Sequence, residues 1–166
     1  MSSVVIYDSA FGNTEKVARA VAAVLGEVGD CRLVPVGEAR PADVSDAALL
    51  VIASPTQAFN ALPSVNHFIG SLTDDVLANK AVAVFDTRIA LEDIPSAPLR
   101  WAVKVGGFAA DHMAKHLRSR HAKLVLEPEG FCVGDKEGPL KPGELDRAVA
   151  WAHELAAAVT PTGAAA

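Results

Sequence analysis

Short apolar runs alternate with amphipathic segments along most of this chain. The runs are rich in Val, Ile, Ala and Leu, and we interpret five of them as strands: Val4 to Tyr7, Cys31 to Pro35, Ala48 to Ala53, Ala81 to Phe85 and Lys123 to Leu126. Continuous apolar runs of this length are typical of strands that helices cover on both faces. The alternation therefore predicts an α/β fold with a doubly wound, five-stranded parallel sheet between two layers of helices.

The segments between the strands have apolar residues at helical spacing. Val17, Val21 and Val24 recur after the first strand, and further helices are predicted over Val65 to Leu72 and Gly107 to Arg120. The last helix begins near Pro142, and its predicted apolar stripe is Leu145, Ala148, Val149, Ala152, Leu155, Ala156 and Val159. Residues 1–160 are predicted to form one domain, followed by a disordered tail at 161–166.

Composition and charge exclude several classes of protein. The chain has 166 residues and is 51% hydrophobic, which suits one well-buried domain. Its net charge of -5 argues against nucleic-acid binding, which needs a basic face. No apolar stretch is long enough to span a bilayer and no signal peptide is evident, so we expect no membrane partner and a cytoplasmic location. Cys31 and Cys132 are expected to be reduced thiols, and we expect no metal site.

A loop of small and polar residues, Ser9 to Thr14, separates the first strand from the first helix. The hydroxyls of Ser9 and Thr14, the amide of Asn13 and the free backbone N–H groups of the helix start can donate to one anion, and the helix dipole adds attraction. Gly12 lets the backbone approach closely. The sequence therefore predicts a phosphate-binding loop. The alternative is a plain strand-to-helix turn, since the same residue types also cap helices.

This loop resembles the phosphate loop of the flavodoxin family, which usually runs Ser/Thr-x-Thr-Gly-Asn-Thr directly after the first strand. The residues at the corresponding positions are Ser9, Ala10, Phe11, Gly12, Asn13 and Thr14. Phe11 stands where the family usually has a hydroxyl residue, so the resemblance implies one side-chain donor fewer to the phosphate. It also implies the strand order 2-1-3-4-5 and FMN bound in the crevice between strands one and three.

Two further loops are expected at the same edge of the sheet, because ligands of such folds bind at the carboxyl ends of parallel strands. By resemblance to flavodoxins, they flank the flavin with Pro55, Thr56, Gln57, Ala58, Phe59 and Asn60 after the third strand and Asp86, Thr87 and Arg88 after the fourth. Phe59 is expected to stack on the flavin ring, with packing beneath its own loop as the alternative. An inward Arg88 would favour the reduced, negatively charged flavin, whereas an outward one would lie in solvent.

A long connection, 89–107, follows the fourth strand and contains several apolar residues, among them Trp101. Apolar residues beside a cofactor suggest a lid, a surface for redox protein partners or a homodimer contact, and the alternative is a helical turn over Pro98 to Val105. Farther along, the stretch from Gly130 to Leu140, expected to follow the fifth strand, and the helix around Trp151 resemble the C-terminal part of short, atypical, single-domain flavodoxins.

Three functions follow from these features. The leading one is an FMN-binding electron-transfer protein of the flavodoxin type, in which the cofactor supplies the chemistry and no side chain acts as acid or base. The alternatives are an FMN-dependent quinone/NAD(P)H reductase and a flavin-free module that binds partners. A visible absorption spectrum separates the flavin-free module from the other two. A steady-state assay with reduced nicotinamide and a quinone separates the reductase from the electron carrier.

Overall fold

In the computed structural model, which describes residues 1–160, six strands form one sheet. The strands are β1 (Ser2–Tyr7), β2 (Asp30–Pro35), β3 (Leu49–Pro55), β4 (Ala81–Ile89), β5 (Lys123–Leu124) and β6 (Glu129–Val133). Their order is β2-β1-β3-β4-β5 with β6 also paired to β4, and every pairing between these strands is parallel. The predicted fold class and strand order are confirmed. The tail expected at 161–166 lies outside the described residues.

Helices cover both faces of the sheet. They are α1 (Asn13–Glu27), α2 (Pro41–Ser45), α3 (Pro63–Ser71), α4 (Asp74–Leu77), α5 (Ala97–Gly106), α6 (Ala109–Ser119) and α7 (Glu144–Val159), with a 3-10 turn at Leu91–Asp93. Successive strand residues such as Val4 and Val5 point to opposite faces, so α1 and α7 pack on one face and α2, α3, α4 and α6 on the other. Within residues 1–160, each helix is too short or too polar to cross a membrane.

The predicted fifth strand, Lys123 to Leu126, is shortened to β5, and an additional strand, β6, follows it; the two pair with different parts of β4. Val125 still donates its N–H to the carbonyl of Val82 at 2.9 Å. Pro128, which has no N–H to donate, comes directly before β6. Gly130 to Val133, which were expected only to follow the fifth strand, form a strand themselves and pair with β4 from Asp86 to Ile89. The carboxyl end of β6 therefore reaches the same edge of the sheet as that of β4.

Strand β4 is longer than predicted. It ends at Ile89, so Asp86, Thr87 and Arg88 lie within the strand and not in a loop after it. The reason is that β3 and β6 both pair with this part of β4. In the connection that follows, the predicted alternative of a helical turn is confirmed, because α5 covers the stretch from Pro98 to Val105.

Helix α7 buries Ala148, Ala152, Leu155 and Ala156 of its predicted apolar stripe, but the stripe differs from the prediction at two residues. Leu145 and Val149 were expected in its apolar stripe, but they are 44% and 37% exposed. Trp151 is instead buried, and its ring lies edge-on to those of Phe85 and Phe131, with centroids 5.7 and 6.2 Å away. Trp151 is the largest apolar side chain of this helix, and a buried ring of that size contributes strongly to packing. The indole therefore belongs to the face of α7 that meets the sheet, together with Leu155 and the buried alanines.

Candidate functional site

A cavity of about 400 Å³ opens where β1, β3, β4 and β6 end. This volume is in the usual range for sites that bind small ligands. Its lining is Ser9, Ala10, Phe11, Asn13, Thr14, Pro55, Thr56, Gln57, Ala58, Thr87, Arg88, Ile89, Val133 and Lys136. The three segments expected from the sequence thus meet around one cavity. Among the described residues that line it there is no carboxylate, which favours an anionic ligand.

The loop between β1 and α1 gathers backbone N–H groups around one oxygen atom. Gly12, directly before α1, has a φ of 86°, which glycine adopts without steric cost. The N–H groups of Gly12 and Glu15 donate to the hydroxyl oxygen of Ser9 at 3.0 and 3.4 Å. The Ser9 hydroxyl occupies these two N–H groups, and their convergence at a helix N-terminus is a geometry that also suits a phosphate oxygen. Phe11 is 46% exposed, and these backbone donors do not depend on its side chain.

Two buried threonines join the first loop to β4. The hydroxyl oxygens of Thr14 and Thr87 lie 2.8 Å apart, and both residues line the cavity. When two hydroxyls share one hydrogen bond, one proton lies between the oxygens and the other is free to donate. The sequence predicted both residues for the site but not their contact with each other. The pair can therefore offer one O–H donor to an oxygen of a ligand.

Asn13 fixes a neighbouring loop in addition to lining the cavity. Its amide nitrogen donates to the backbone carbonyl of Glu137 at 3.0 Å. A Cβ atom placed on Gly138 would lie 2.6 Å from the same nitrogen, so the backbone of this loop approaches Asn13 closely. One N–H of the amide is thus occupied by the protein, and the other is left for a ligand.

Sequence reasoning missed three residues of the cavity, Ile89, Val133 and Lys136. The first is the last residue of β4, which is longer than predicted, and the second is the last residue of β6, which was not predicted as a strand. Lys136 lies in a turn bounded by Gly134 and Gly138, just beyond the carboxyl end of β6. The sequence signal that could have identified Lys136 is a basic residue between two glycines in the segment that follows the predicted fifth strand. Its positive charge adds to the attraction for an anion.

The loop after β3 closes in a tight turn. Gln57 and Asn60 exchange two backbone hydrogen bonds of 2.9 Å. Between them, Ala58 and Phe59 have φ angles of 46° and 70°. Positive φ at both central positions is the geometry of a type I′ turn, which usually requires Asn or Gly. Strain of about 1–3 kcal/mol per residue of this kind is concentrated at ligand sites and switch regions.

Phe59, which was expected to stack on a flavin ring, lies outside the lining of the cavity. A Cβ atom placed on Gly106 would lie 3.0 Å from its ring, so Phe59 packs against the end of α5. This ring lines a second, apolar cavity of about 270 Å³, together with Ile94, Leu99, Val103 and Phe108. The predicted alternative, a packing role for Phe59, agrees better with this placement. Gly12 and Asn60 also lie outside the lining of the first cavity.

Asp86 and Arg88 form an ion pair at the wall shared by the two cavities. Nε and Nη2 of Arg88 donate to the two carboxylate oxygens of Asp86 at 2.5 and 2.8 Å. Asp86 is fully buried and also accepts the N–H of Ala110 at 2.8 Å. Burial raises the pKa of the Asp86 carboxyl, an effect that the guanidinium of Arg88 opposes. Arg88 lines both cavities, whereas Asp86 lines neither, so the carboxylate of Asp86 does not contact a ligand there.

Comparison with known proteins was made by sequence and by structure. The sequence model of one family, described as a flavodoxin domain, matches residues 4–125. The search of curated proteins finds no match.

Several solved structures share the fold over nearly the whole chain. A flavodoxin from the domain Archaea is 17% identical and has a TM-score of 0.75, with 96% of this chain and 99% of that chain covered. Oxidised Flavodoxin 1 from Bacillus cereus is 19% identical with a TM-score of 0.71, covering 93% and 97%. Rubredoxin oxygen:oxidoreductase from Desulfovibrio gigas is 21% identical with a TM-score of 0.72, covering 95% of this chain but 36% of that chain. Since the family match spans most of the sequence, the chain belongs to the flavodoxin family.

Proposed function

We propose that this protein binds FMN in the cavity at the carboxyl edge of the sheet and transfers electrons between redox proteins. The observation that carries the proposal is the meeting of a helix N-terminus with converging backbone N–H groups, a hydroxyl pair and the ends of β3, β4 and β6 around one cavity of about 400 Å³. Membership of the flavodoxin family supports the same ligand. Bound FMN would supply the redox chemistry, and the protein would supply binding, orientation and charge.

One end of the cavity suits the phosphate of FMN. The N-terminus of α1 provides backbone donors, the pair of Thr14 and Thr87 provides a hydroxyl, and Lys136 provides a positive charge. Hydrogen bonds to a charged group contribute about 1.5–3 kcal/mol each. This end therefore distinguishes FMN from riboflavin, which has no phosphate.

The flavin ring needs an apolar surface with few polar contacts, and the remainder of the lining offers it. Pro55 to Ala58, Ile89 and Val133 provide most of this surface, and Arg88 provides one cation. Ala10, Phe11, Gln57 and Ala58 are exposed at the edge of the site. An exposed edge lets a redox protein approach the cofactor without any movement of the fold.

The purified protein tests the proposal through its visible absorption spectrum. We expect flavin bands in the protein as isolated, or after reconstitution with FMN followed by gel filtration. Protein that has no flavin bands after both treatments would contradict the proposal and favour the flavin-free partner-binding module. Rapid oxidation of reduced nicotinamide with a quinone as acceptor would favour the FMN-dependent quinone/NAD(P)H reductase instead.

The segment 89–107 is proposed as a contact surface for a second copy of the chain. Trp101 and Val105 are one helical turn apart in α5 and are 68% and 66% exposed. Apolar side chains exposed together are typical of interaction sites. Sedimentation should show a dimer that Trp101→Glu converts to a monomer, and a monomeric parent protein would contradict this role. A cytoplasmic location, where reduced redox partners are available, is part of the same proposal.

A further inference from the structure

The ion pair of Asp86 and Arg88 is unusual because both charges are largely removed from water. The side chain of Asp86 is 0% exposed and that of Arg88 is 17% exposed. Burying a carboxylate costs several kcal/mol unless its oxygens are well bonded. Here the carboxylate accepts two N–H bonds from Arg88 and one from Ala110. The arrangement fixes the position of the guanidinium.

Two further neighbours hold the guanidinium plane. Its central carbon lies 3.8 Å from the centroid of the Phe108 ring, a cation–π contact. On another side is Gly130, where a Cβ atom would collide with the guanidinium group. Since β6 pairs with β4 at this position, a glycine is needed for the side chain of Arg88 to lie as it does. Arg88 is therefore held by a carboxylate, an aromatic ring and a backbone surface.

The guanidinium still has donors to offer. An arginine side chain carries five N–H bonds, and the carboxylate of Asp86 takes one at Nε and one at Nη2. Because Arg88 lines the cavity, its remaining N–H groups are available to an oxygen of a ligand there. Asp86 lies behind Arg88 as seen from the cavity, so the positive charge is the nearer of the two.

We propose that Arg88 is a binding residue for the flavin ring, that Asp86 is its positioning residue, and that the two charges act in opposite directions on the affinity for reduced FMN. The inference rests on the proposed function. Two-electron reduction adds one negative charge to the ring at neutral pH, so the nearby cation favours reduced FMN and the more distant anion disfavours it. The net effect of the ion pair on the affinity for reduced FMN is the difference between these two effects.

Four variants test the inference: Arg88→Gln, Asp86→Asn, the double variant and Gly130→Ala. The dissociation constants of each are measured separately for oxidised FMN and for FMN reduced with dithionite. Arg88→Gln should weaken the binding of reduced FMN about tenfold more than that of oxidised FMN. A tenfold difference corresponds to a fall of about 30 mV in the two-electron potential. Asp86→Asn keeps one oxygen that accepts from the guanidinium but removes the negative charge, so the potential should rise, and the double variant should lie between the two.

Gly130→Ala provides a test that leaves both charged residues in the sequence. The added Cβ displaces the guanidinium, so the potential should fall as it does in Arg88→Gln. Gly70→Ala is the matched control, because nothing lies within 4 Å of the added atom, and it should leave both affinities unchanged. Thermal unfolding of the apoprotein shows whether Asp86→Asn folds. If it does not, Gly130→Ala still tests the inference.

A purely structural role makes different predictions. Loss of the ion pair would then weaken both forms of FMN equally in Arg88→Gln and in Gly130→Ala, with no change in potential, and this result would overturn the inference. A shift of the same sign in Arg88→Gln and Asp86→Asn would also overturn it. If the parent protein bound neither form of FMN, the proposed function itself would fail, and that outcome is separate from these.

Discussion

At the scale of single residues, hydroxyl and guanidinium groups that are far apart in the sequence contact each other or the same cavity. Thr14 and Thr87 illustrate this, since the two residues belong to α1 and β4 and their oxygens lie 2.8 Å apart. Both residues are nearly completely buried. A buried hydroxyl with a free proton is stabilised when a ligand accepts that proton.

The threonine pair can be tested without a change of shape. Thr14→Val removes the hydroxyl and should weaken FMN about tenfold, because a hydrogen bond to the charged phosphate is lost, while riboflavin should bind nearly as before. Fluorescence titrations of the apoprotein measure both affinities. Thr73→Val, at an exposed position, serves as the control. An equal loss for FMN and riboflavin would mean that Thr14 is remote from the phosphate.

Two glycines provide a matched comparison. Gly12 and Gly143 each precede a helix with a φ of 86°, and a Cβ atom on either would meet nothing within 4 Å. Replacing either with Ala should lower the free energy of unfolding by about 1–2 kcal/mol, because the left-handed conformation is costly for an L-residue. Only Gly12→Ala should also weaken FMN, since only α1 begins at the cavity. Urea unfolding and FMN titration measure the two effects.

At the scale of helices and strands, the position of the turn between Gln57 and Asn60 depends on α5. Phe59 lies against Gly106 at the end of that helix. Phe59→Ala should therefore speed amide hydrogen exchange in α5 while leaving α6 unchanged, because local stability follows local packing. Phe11→Ala, at an exposed position, is the control. Unchanged exchange in α5 together with weaker binding of riboflavin would instead place Phe59 against the flavin.

Which elements could be predicted from the sequence depended on the range of their interactions. Apolar runs identified β1 to β4, because burial on both faces constrains every residue of such a strand, and the resemblance to flavodoxins supplied the order of the sheet. The extent of β4 was not predicted, since Asp86 and Arg88 are charged and form an ion pair that only the fold creates. On helix α7, the predicted stripe included Leu145 and Val149, which are exposed, and left out Trp151, which packs on rings that β4 and β6 supply.

The site itself was predictable in position but not in its contacts. Carboxyl ends of neighbouring parallel strands meet at one edge, so the three segments around Ser9, Pro55 and Thr87 were expected together. Side-chain pairing depends on register and on which rotamers the packing allows. The ion pair with Arg88 and the approach of Lys136 could therefore not be deduced from spacing along the chain.

At the scale of the whole molecule, one aromatic cluster connects the sheet to the helical layer. Phe85, Phe131 and Trp151 come from β4, β6 and α7, with ring centroids 5.5 to 6.2 Å apart. Trp151→Ala should lower the free energy of unfolding by about 3–5 kcal/mol, as expected for the loss of a large buried ring. Trp101→Ala, at a side chain 68% exposed, should change it by less than about 1 kcal/mol. Equal losses in urea unfolding would contradict the assigned packing.

The central claim is that the cavity at the edge of the sheet holds a flavin by its phosphate. Parallel titrations of the apoprotein with FMN and riboflavin, followed by flavin fluorescence, test it most directly. The donors of α1, the threonine pair and Lys136 predict that FMN binds at least about tenfold more tightly, and that added inorganic phosphate competes with FMN. Equal affinity for the two flavins, or no binding of either, would contradict the claim.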